Sequence, residues 1–382
     1  MLKFCLAGQY PLDPARIGGG VDHAVFVLAQ TLAERDDIEL HVVTPAKGAD
    51  GLKVVENQGM TVYYVGAPRR RLLPNLLTQS ARIAPVIRQI NPDIVNSHHC
   101  VTTEAAKRAG RKVLHTIHGI TYRELPYVSG AARLSTWLQV FLDRRAVATA
   151  DAVVGVAQYA LDAMSPWIRG RRFIMRLPIE DLFWDVPDLR PRNQIVFAGG
   201  IGRRKNLMVL LRALPEVLAR HPDTTLNVCG GIADAGYYRR VISFIEEVGI
   251  AQAVTFHGVV DRPRLAETLG RSVALVIPSY QETTPTVICQ AMAAARVPVA
   301  SRVGGVAEMI EDGVTGFTME PDDAGTLASI LIRLLDDPAS AEAVGAAARA
   351  CALERYERHR VVAGLVDICR EMAGADVADR ST

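Results

Sequence analysis

The sequence predicts two α/β domains, each a parallel β-sheet wrapped by helices, and three observations carry that prediction. The chain has 382 residues, about twice the size of an ordinary domain. Short β-rich runs alternate with longer helical patterns, the mark of parallel sheets with helical crossovers. The alternation stops at "DLFWDVPDLRPRN", from Asp181 to Asn193, and then restarts. Pro187 and Pro191 break regular structure there, which places the interdomain hinge in that stretch. The expected divisions are 1–185, 186–355, and a terminal helix with a frayed tail over 356–382.

In the first half the expected strands are Leu2 to Ala7, Ile38 to Val43, Ile94 to Ser97, Val113 to Ile117 and Ala152 to Val156. The helix after the first strand is read from Val21, Ala24, Val25, Leu28 and Leu32, which recur at helical spacing. After the hinge come strand Gln194 to Ala198, helix Asn206 to Leu218, strand Thr225 to Cys229, helix Tyr237 to Val248 and strand Val254 to Phe256. Strand Val273 to Ile277, helix Thr286 to Ala295 and strand Val297 to Ser301 follow. Two helices are expected to close the chain, with "ADVADRST" fraying.

Composition narrows the functional classes. With 49% hydrophobic and 22% charged residues the chain reads as soluble and globular, and a formal net charge of +2 announces no nucleic-acid partner. Met1 to Ala7 reads as a first buried strand and not as a secretory signal. The longest apolar stretch, Ala146 to Met164, is interrupted by Asp151 and Asp162, so no bilayer span is expected. The six cysteines are scattered without a CxxC pair, which suits reduced thiols in a cytoplasmic protein.

Open parallel sheets bind ligands beyond the carboxyl ends of their strands, so the residues just after each strand are the candidates. The richest stretch runs from Val276 to Phe317, "VIPSYQETTPTVICQAMAAARVPVASRVGGVAEMIEDGVTGF". Glu282 stands just ahead of a helix that has Pro285 in its expected first turn, where a missing N–H costs nothing. The amides of Thr286 and its neighbours then offer an anion site favoured by the helix dipole.

This segment resembles the retaining glycosyltransferases of family 4, which have the GT-B fold: two Rossmann-like domains facing across a cleft, with C-terminal helices returning toward the first. The resemblance extends over nearly the whole chain. It implies transfer from a nucleotide-diphosphate sugar with retention of anomeric configuration, without a metal or other cofactor. Glu282 matches a glutamate that contacts the donor sugar. Gln290 stands where the family has a second glutamate gripping the ribose. Thr283, Thr284, Pro285 and Thr286 fall in the donor-binding turn. "IGGGVDH" looks like the family's first glycine loop, with Gly19 and Gly20 offering amides to the diphosphate. In "LHTIHGI", His118 follows a strand where the family has a histidine near the transferred sugar. "FAGGIGRRKNL" resembles the second domain's phosphate loop, and Lys205 matches its lysine. One departure is Gly200, which stands where the family usually has an arginine; Arg203 or Arg204 is the local candidate to supply the guanidinium.

Plainer readings stand beside these. Glu282 alone is a capping carboxylate, Lys205 an exposed lysine, and His118 a satisfied strand-end histidine. His98, His99 and His115 look like metal ligands, but strand alternation puts His98 and His99 on opposite faces. Gly304 and Gly305 read equally as a turn or as a ligand contact. Arg69, Arg70 and Arg71, followed by four leucines, read either as a solvated loop or as a peripheral contact with an anionic membrane at the inner face of the cell, suited to a lipid-linked or glycan acceptor. Rival functions are a non-catalytic nucleotide-sugar-binding subunit, prompted by Gly200 and Gln290, and a dinucleotide oxidoreductase, which the absence of a complete G-x-G-x-x-G disfavours. Surface-glycan assembly follows from the resemblance alone.

Overall fold

Eight strands form the sheet of the first unit: β1 (Leu2–Ala7), β2 (Ile38–Ala46), β3 (Leu52–Asn57), β4 (Met60–Gly66), β5 (Ile94–Ser97), β6 (Val113–Ile117), β7 (Ala152–Gly155) and β8 (Arg171–Ile174). Their order is β3-β4-β2-β1-β5-β6-β7-β8. Pairing is parallel except in the β3–β4 hairpin. Gln58 (φ 35°) and Gly59 (φ 79°) turn that hairpin, the two positive φ values that a two-residue loop between twisted strands needs.

This computed structural model describes residues 1–13, 17, 19–46, 51–66, 75–130, 132–190 and 192–379. Arg69, Arg70 and Arg71 therefore lie outside the described residues. Strand alternation sorts the core of the first unit into two layers. Phe4 and Leu6 pack with Val25, Leu28 and Leu32 of helix Gly20–Ala33 and with Val362, Leu365 and Val366 of the terminal helix. Cys5 and Ala7 face Ile83 and Ile87 of helix Asn75–Ile90 and the helices that follow it.

The second unit carries β9 (Gln194–Ala198), β10 (Thr225–Cys229), β11 (Val254–Gly258), β12 (Ser272–Ile277), β13 (Val297–Ser301) and β14 (Phe317–Met319), all parallel, in the order β11-β10-β9-β12-β13-β14. Ile195 and Phe197 face helices Leu207–Arg220 and Ala324–Asp336. Val196 and Ala198 face the layer that holds Thr286–Ala293 and Pro338–Tyr356.

The first unit comprises Met1–Pro178 and the segment from Arg358 onward; the second is Ile179–Glu357. The chain thus leaves the first unit just before the stretch 181–193. Phe183 is fully buried in the second unit's core, and Ile179 bridges Glu357 at the point of return. Three helices close the chain where two were expected, Ala324–Asp336, Pro338–Tyr356 and Arg358–Asp379. The last of them continues to Asp379, through residues expected to fray.

Candidate active site

In each sheet the chain starts at a central strand, builds outward to one side and then crosses to the other. The crossover falls between β1 and β5 in the first unit and between β9 and β12 in the second. At such a switch point the two flanking loops diverge and leave a crevice at the strands' carboxyl ends. Gly19 follows β1, Lys205 follows β9 and Glu282 follows β12, on those loops, whereas His118 follows β6, one strand further out.

In the second unit, β9 runs into Gly199 (φ 155°), Gly200, Ile201 and Gly202, then a 3₁₀ turn Arg203–Lys205 closed by left-handed Asn206 (φ 50°). The close approach of this loop to β10 requires glycine at Gly230, where a Cβ would stand 1.9 Å from the Gly199 carbonyl oxygen. Across the switch point, the Tyr280 amide donates to the Arg204 carbonyl at 2.8 Å. Lys205 Nζ reaches Glu282 Oε1 at 2.6 Å. Arg204 Nη1 donates to the Gln281 carbonyl at 2.8 Å and lies 3.5 Å from Glu282 Oε2. Burial pushes the Glu282 carboxyl up, but the Lys205 ammonium and Arg204 guanidinium beside it win and hold it below its usual value. Glu282 is an ionised, buried acceptor between two cations.

Arg203 takes the other direction, to Asp234 at 3.5 Å, and is more than half exposed. Of the two arginine candidates, the structure brings Arg204 to the carboxylate. Gly200 has room for a side chain, since a Cβ there would meet Ala233 Cβ at an ordinary 3.4 Å. Pro285 caps helix Thr286–Ala293 from outside its first turn, with ψ 111° holding it extended. Thr283 and Thr286 are buried beside Glu282, Thr284 is half-buried, and the Gly305 amide meets the Glu282 carbonyl at 3.4 Å. Gln290 is buried one turn along, and its Oε1 has no hydrogen-bond partner among the described residues.

Residues that sequence reasoning passed over also gather here. Ile232 and Val259 expose apolar side chains just past β10 and β11, next to the glycine loop through Gly231, whose Cβ would touch Val259. Their signal was position alone: large aliphatic residues directly after strand ends.

In the first unit, Gly19 caps helix Gly20–Ala33 in extended conformation, and both glycines are exposed. Gly8, after β1, packs against His98. His98 and His99 both lie beyond β5, which ends at Ser97, so strand alternation does not govern them as expected. His99 instead caps helix Cys100–Arg108 by accepting from the Val101 amide. His98 Nδ1 is 2.6 Å from His118 Nε2, and His98 Nε2 is 2.7 Å from Asn96 Oδ1. His115 turns away to Thr103 at 2.8 Å. Among the described residues, no three His, Cys, Asp or Glu side chains converge as a metal site.

Residues 18–171 match the family model described as Glycosyltransferase Family 4, and residues 179–350 match Glycosyl transferases group 1. A D-inositol 3-phosphate glycosyltransferase from Paenarthrobacter aurescens is 30% identical over 364 residues, covering 86% of this chain and 87% of that protein. The chain belongs to the family 4 glycosyltransferases. A second D-inositol 3-phosphate glycosyltransferase, from an Arthrobacter species, is 29% identical to this transferase over 377 residues, spanning 86% of it and 85% of the relative. Sucrose-phosphate synthase from Thermosynechococcus elongatus shares its GT-B fold, with TM-score 0.82, 20% identity and coverage of 98% and 100% of the two chains. Anabaena HepE, solved in complex with UDP-glucose, superposes with TM-score 0.74 at 19% identity, covering 97% of this glycosyltransferase and all of HepE. No helix of the described residues is long and apolar enough to cross a membrane.

Proposed function

We propose that this glycosyltransferase moves a sugar from a nucleotide-diphosphate donor to a glycan or lipid-linked acceptor in surface-glycan assembly, with retention of configuration and without a protein-held metal. The Lys205–Glu282 pair at the switch point of the second sheet carries the reading. Breaking the anomeric bond leaves positive charge on the sugar and negative charge on the diphosphate, and both need stabilisation. An ammonium has three donors; one serves Glu282, and two are left for phosphate oxygens. The first-turn amides of the Thr286 helix have no intrahelical acceptor and add to them. Glu282, kept ionised, holds the sugar hydroxyls, and the family resemblance assigns His118 to the sugar as well. Gln290 Oε1, costly to bury unpaired at about 1–3 kcal/mol, takes a hydroxyl of the ribose. Ile232 and Val259 give the base an apolar floor.

A thermal-shift panel of nucleotide diphosphates and their sugars tests the donor, because a ligand of the folded state raises its melting temperature. A matching diphosphate should stabilise the wild-type protein and lose that effect in Lys205→Ala. Gly200 favours a second reading, a non-catalytic nucleotide-sugar-binding subunit; donor binding with no hydrolysis and no transfer across an acceptor panel would establish it. EDTA treatment should leave transfer unchanged.

The reading places the enzyme in the cytoplasm, docked on an anionic membrane. Leu134, Trp137 and Phe141 support this, being exposed at i, i+3 and i+7 on helix Ala132–Thr149 with Arg133 and Arg145 exposed beside them. Co-sedimentation with anionic vesicles should fall in Trp137→Asp and, separately, in an Arg69 to Arg71 triple alanine variant. Retention of the wild-type bound fraction by both would remove docking from the reading.

A further inference from the structure

The histidine chain of the first unit fixes where its protons sit. Asn96 is fully buried, and its Nδ2 lies 3.2 Å from the Leu114 carbonyl oxygen and 3.0 Å from Thr116 Oγ1. A backbone carbonyl can only accept, so the amide nitrogen must face it and Asn96 Oδ1 must face His98. That oxygen also can only accept, so His98 Nε2 carries a proton. A neutral His98 then has a bare Nδ1, and the 2.6 Å contact requires the proton between the rings to belong to His118 Nε2. Burial keeps both rings neutral at physiological pH, pushing His118 down to about 4 and His98 well below its usual value; a proton on His118 or His115 would push His98 lower still. A neutral His118 protonated at Nε2 has a lone pair on Nδ1, which meets no partner among the described residues.

We infer that Asn96 and His98 are positioning residues that hold His118 as its Nε2–H tautomer, so that its free Nδ1 presents a hydrogen-bond acceptor and selects a sugar hydroxyl as the donor. Its place in the reaction rests on His118 standing at the sugar, as proposed above; the proton arrangement does not. The hydroxyl keeps its proton, no covalent bond changes, and a ligand group that can only accept is rejected. Neither Asn96 nor His98 is predicted to touch substrate.

Imidazole ¹⁵N NMR of the full chain at pH 7.5 tests this without a ligand. Both His98 and His118 should be neutral with the proton on Nε2, and a scalar coupling should cross from His118 Nε2 to His98 Nδ1. A His118 protonated on Nδ1, or cationic, would overturn the inference. Asn96→Asp supplies a carboxylate that charges His98, so His98 Nδ1 becomes a donor and the His118 proton should move to Nδ1. Folded Asn96→Asp protein in which His98 is charged and the His118 proton is still on Nε2 would also overturn it. If that variant does not fold, the wild-type spectrum alone decides, and Thr116→Val, which spares the Leu114 carbonyl, should keep the wild-type pattern. The two readings fail separately: full activity in His118→Ala removes the sugar-site role, whereas the spectrum removes only the tautomer control.

Discussion

Lys205 and Glu282 are 77 residues apart in sequence and 2.6 Å apart in space. Both were legible as candidates because strand-end positions and the family motif mark them. Their ion pair was not, since no periodicity spans that separation. The choice of Arg204 over Arg203 was equally closed to sequence, because successive residues of a 3₁₀ turn project about 120° apart. Lys205→Ala and Glu282→Ala should each lower kcat by at least about 100-fold, the usual loss when one aimed charge is removed. Steady-state transfer assays check this, and near wild-type turnover in either variant removes that residue's assigned role. Lys205→Ala should also lower the melting temperature, since it leaves the buried Glu282 with Arg204, at 3.5 Å, as its remaining cation. Gly200→Arg makes the opposite kind of test. The space is open, and a charge-assisted bond to phosphate is worth about 1.5–3 kcal/mol, so kcat/KM should rise by roughly 10-fold or more. An unchanged kcat/KM would show that Arg204 and Lys205 already serve that role.

Among the elements, most buried central strands were readable; the missed strands were the interior β4, whose alternating burial went unread, and the edge strands β3, β8 and β14. β8 reads "RRFI" and is largely exposed, β14 has three residues, and five of the six β3 residues are exposed. Edge strands carry charge and lack the apolar run that marks a central strand. The hairpin nonetheless left a turn signal in "NQGM", whose glycine provides one of the two positive φ values. The element with the clearest pH consequence is the histidine group behind β5 and β6. His98, His115 and His118 have folded pKa values below the unfolded value of about 6.5, with His115 near 3 and His118 near 4. Below pH 6.5 the unfolded chain therefore binds protons that the folded one refuses. Each histidine removes about 1.4 kcal/mol per pH unit, so stability is fully present above pH 6.5 and falls steeply toward pH 4. Urea titrations across that window should show the first unit weakening, and His98→Asn should flatten the slope. A pH-independent midpoint would contradict the buried, neutral assignment.

At the scale of the molecule, the doubled α/β rhythm was plain from sequence, while the first crossing point, at Pro178, was not. The proline-rich stretch at 181–193 signals irregular backbone, yet Phe183 within it is a core residue of the second unit; irregular and interdomain are different properties. The division expected at 355/356 lies two residues before the return at Arg358. The terminal helix buries Val362, Leu365, Val366, Cys369 and Met372 against the first sheet's layer, and Lys112 Nζ donates to its Met372 carbonyl at 2.7 Å. At about 1.5–3 kcal/mol per side chain, their removal costs on the order of 10 kcal/mol, comparable to a whole domain's stability. A chain ending at Glu357 should therefore keep the second unit's calorimetric transition and lose the first's. Two intact transitions in that truncated protein would show the helix to be dispensable.

That terminal helix also sets an order of events on the ribosome. The sheet made first lacks its last covering layer until residues 179–357 have been synthesised, a delay on the order of 10–40 s at typical elongation rates. The unit translated second can mature before the unit translated first. In the interval the nascent β1 face displays Phe4 and Leu6 beside the vacant seat of Val362 and Leu365, so chaperone occupancy should peak on this segment and end at chain release.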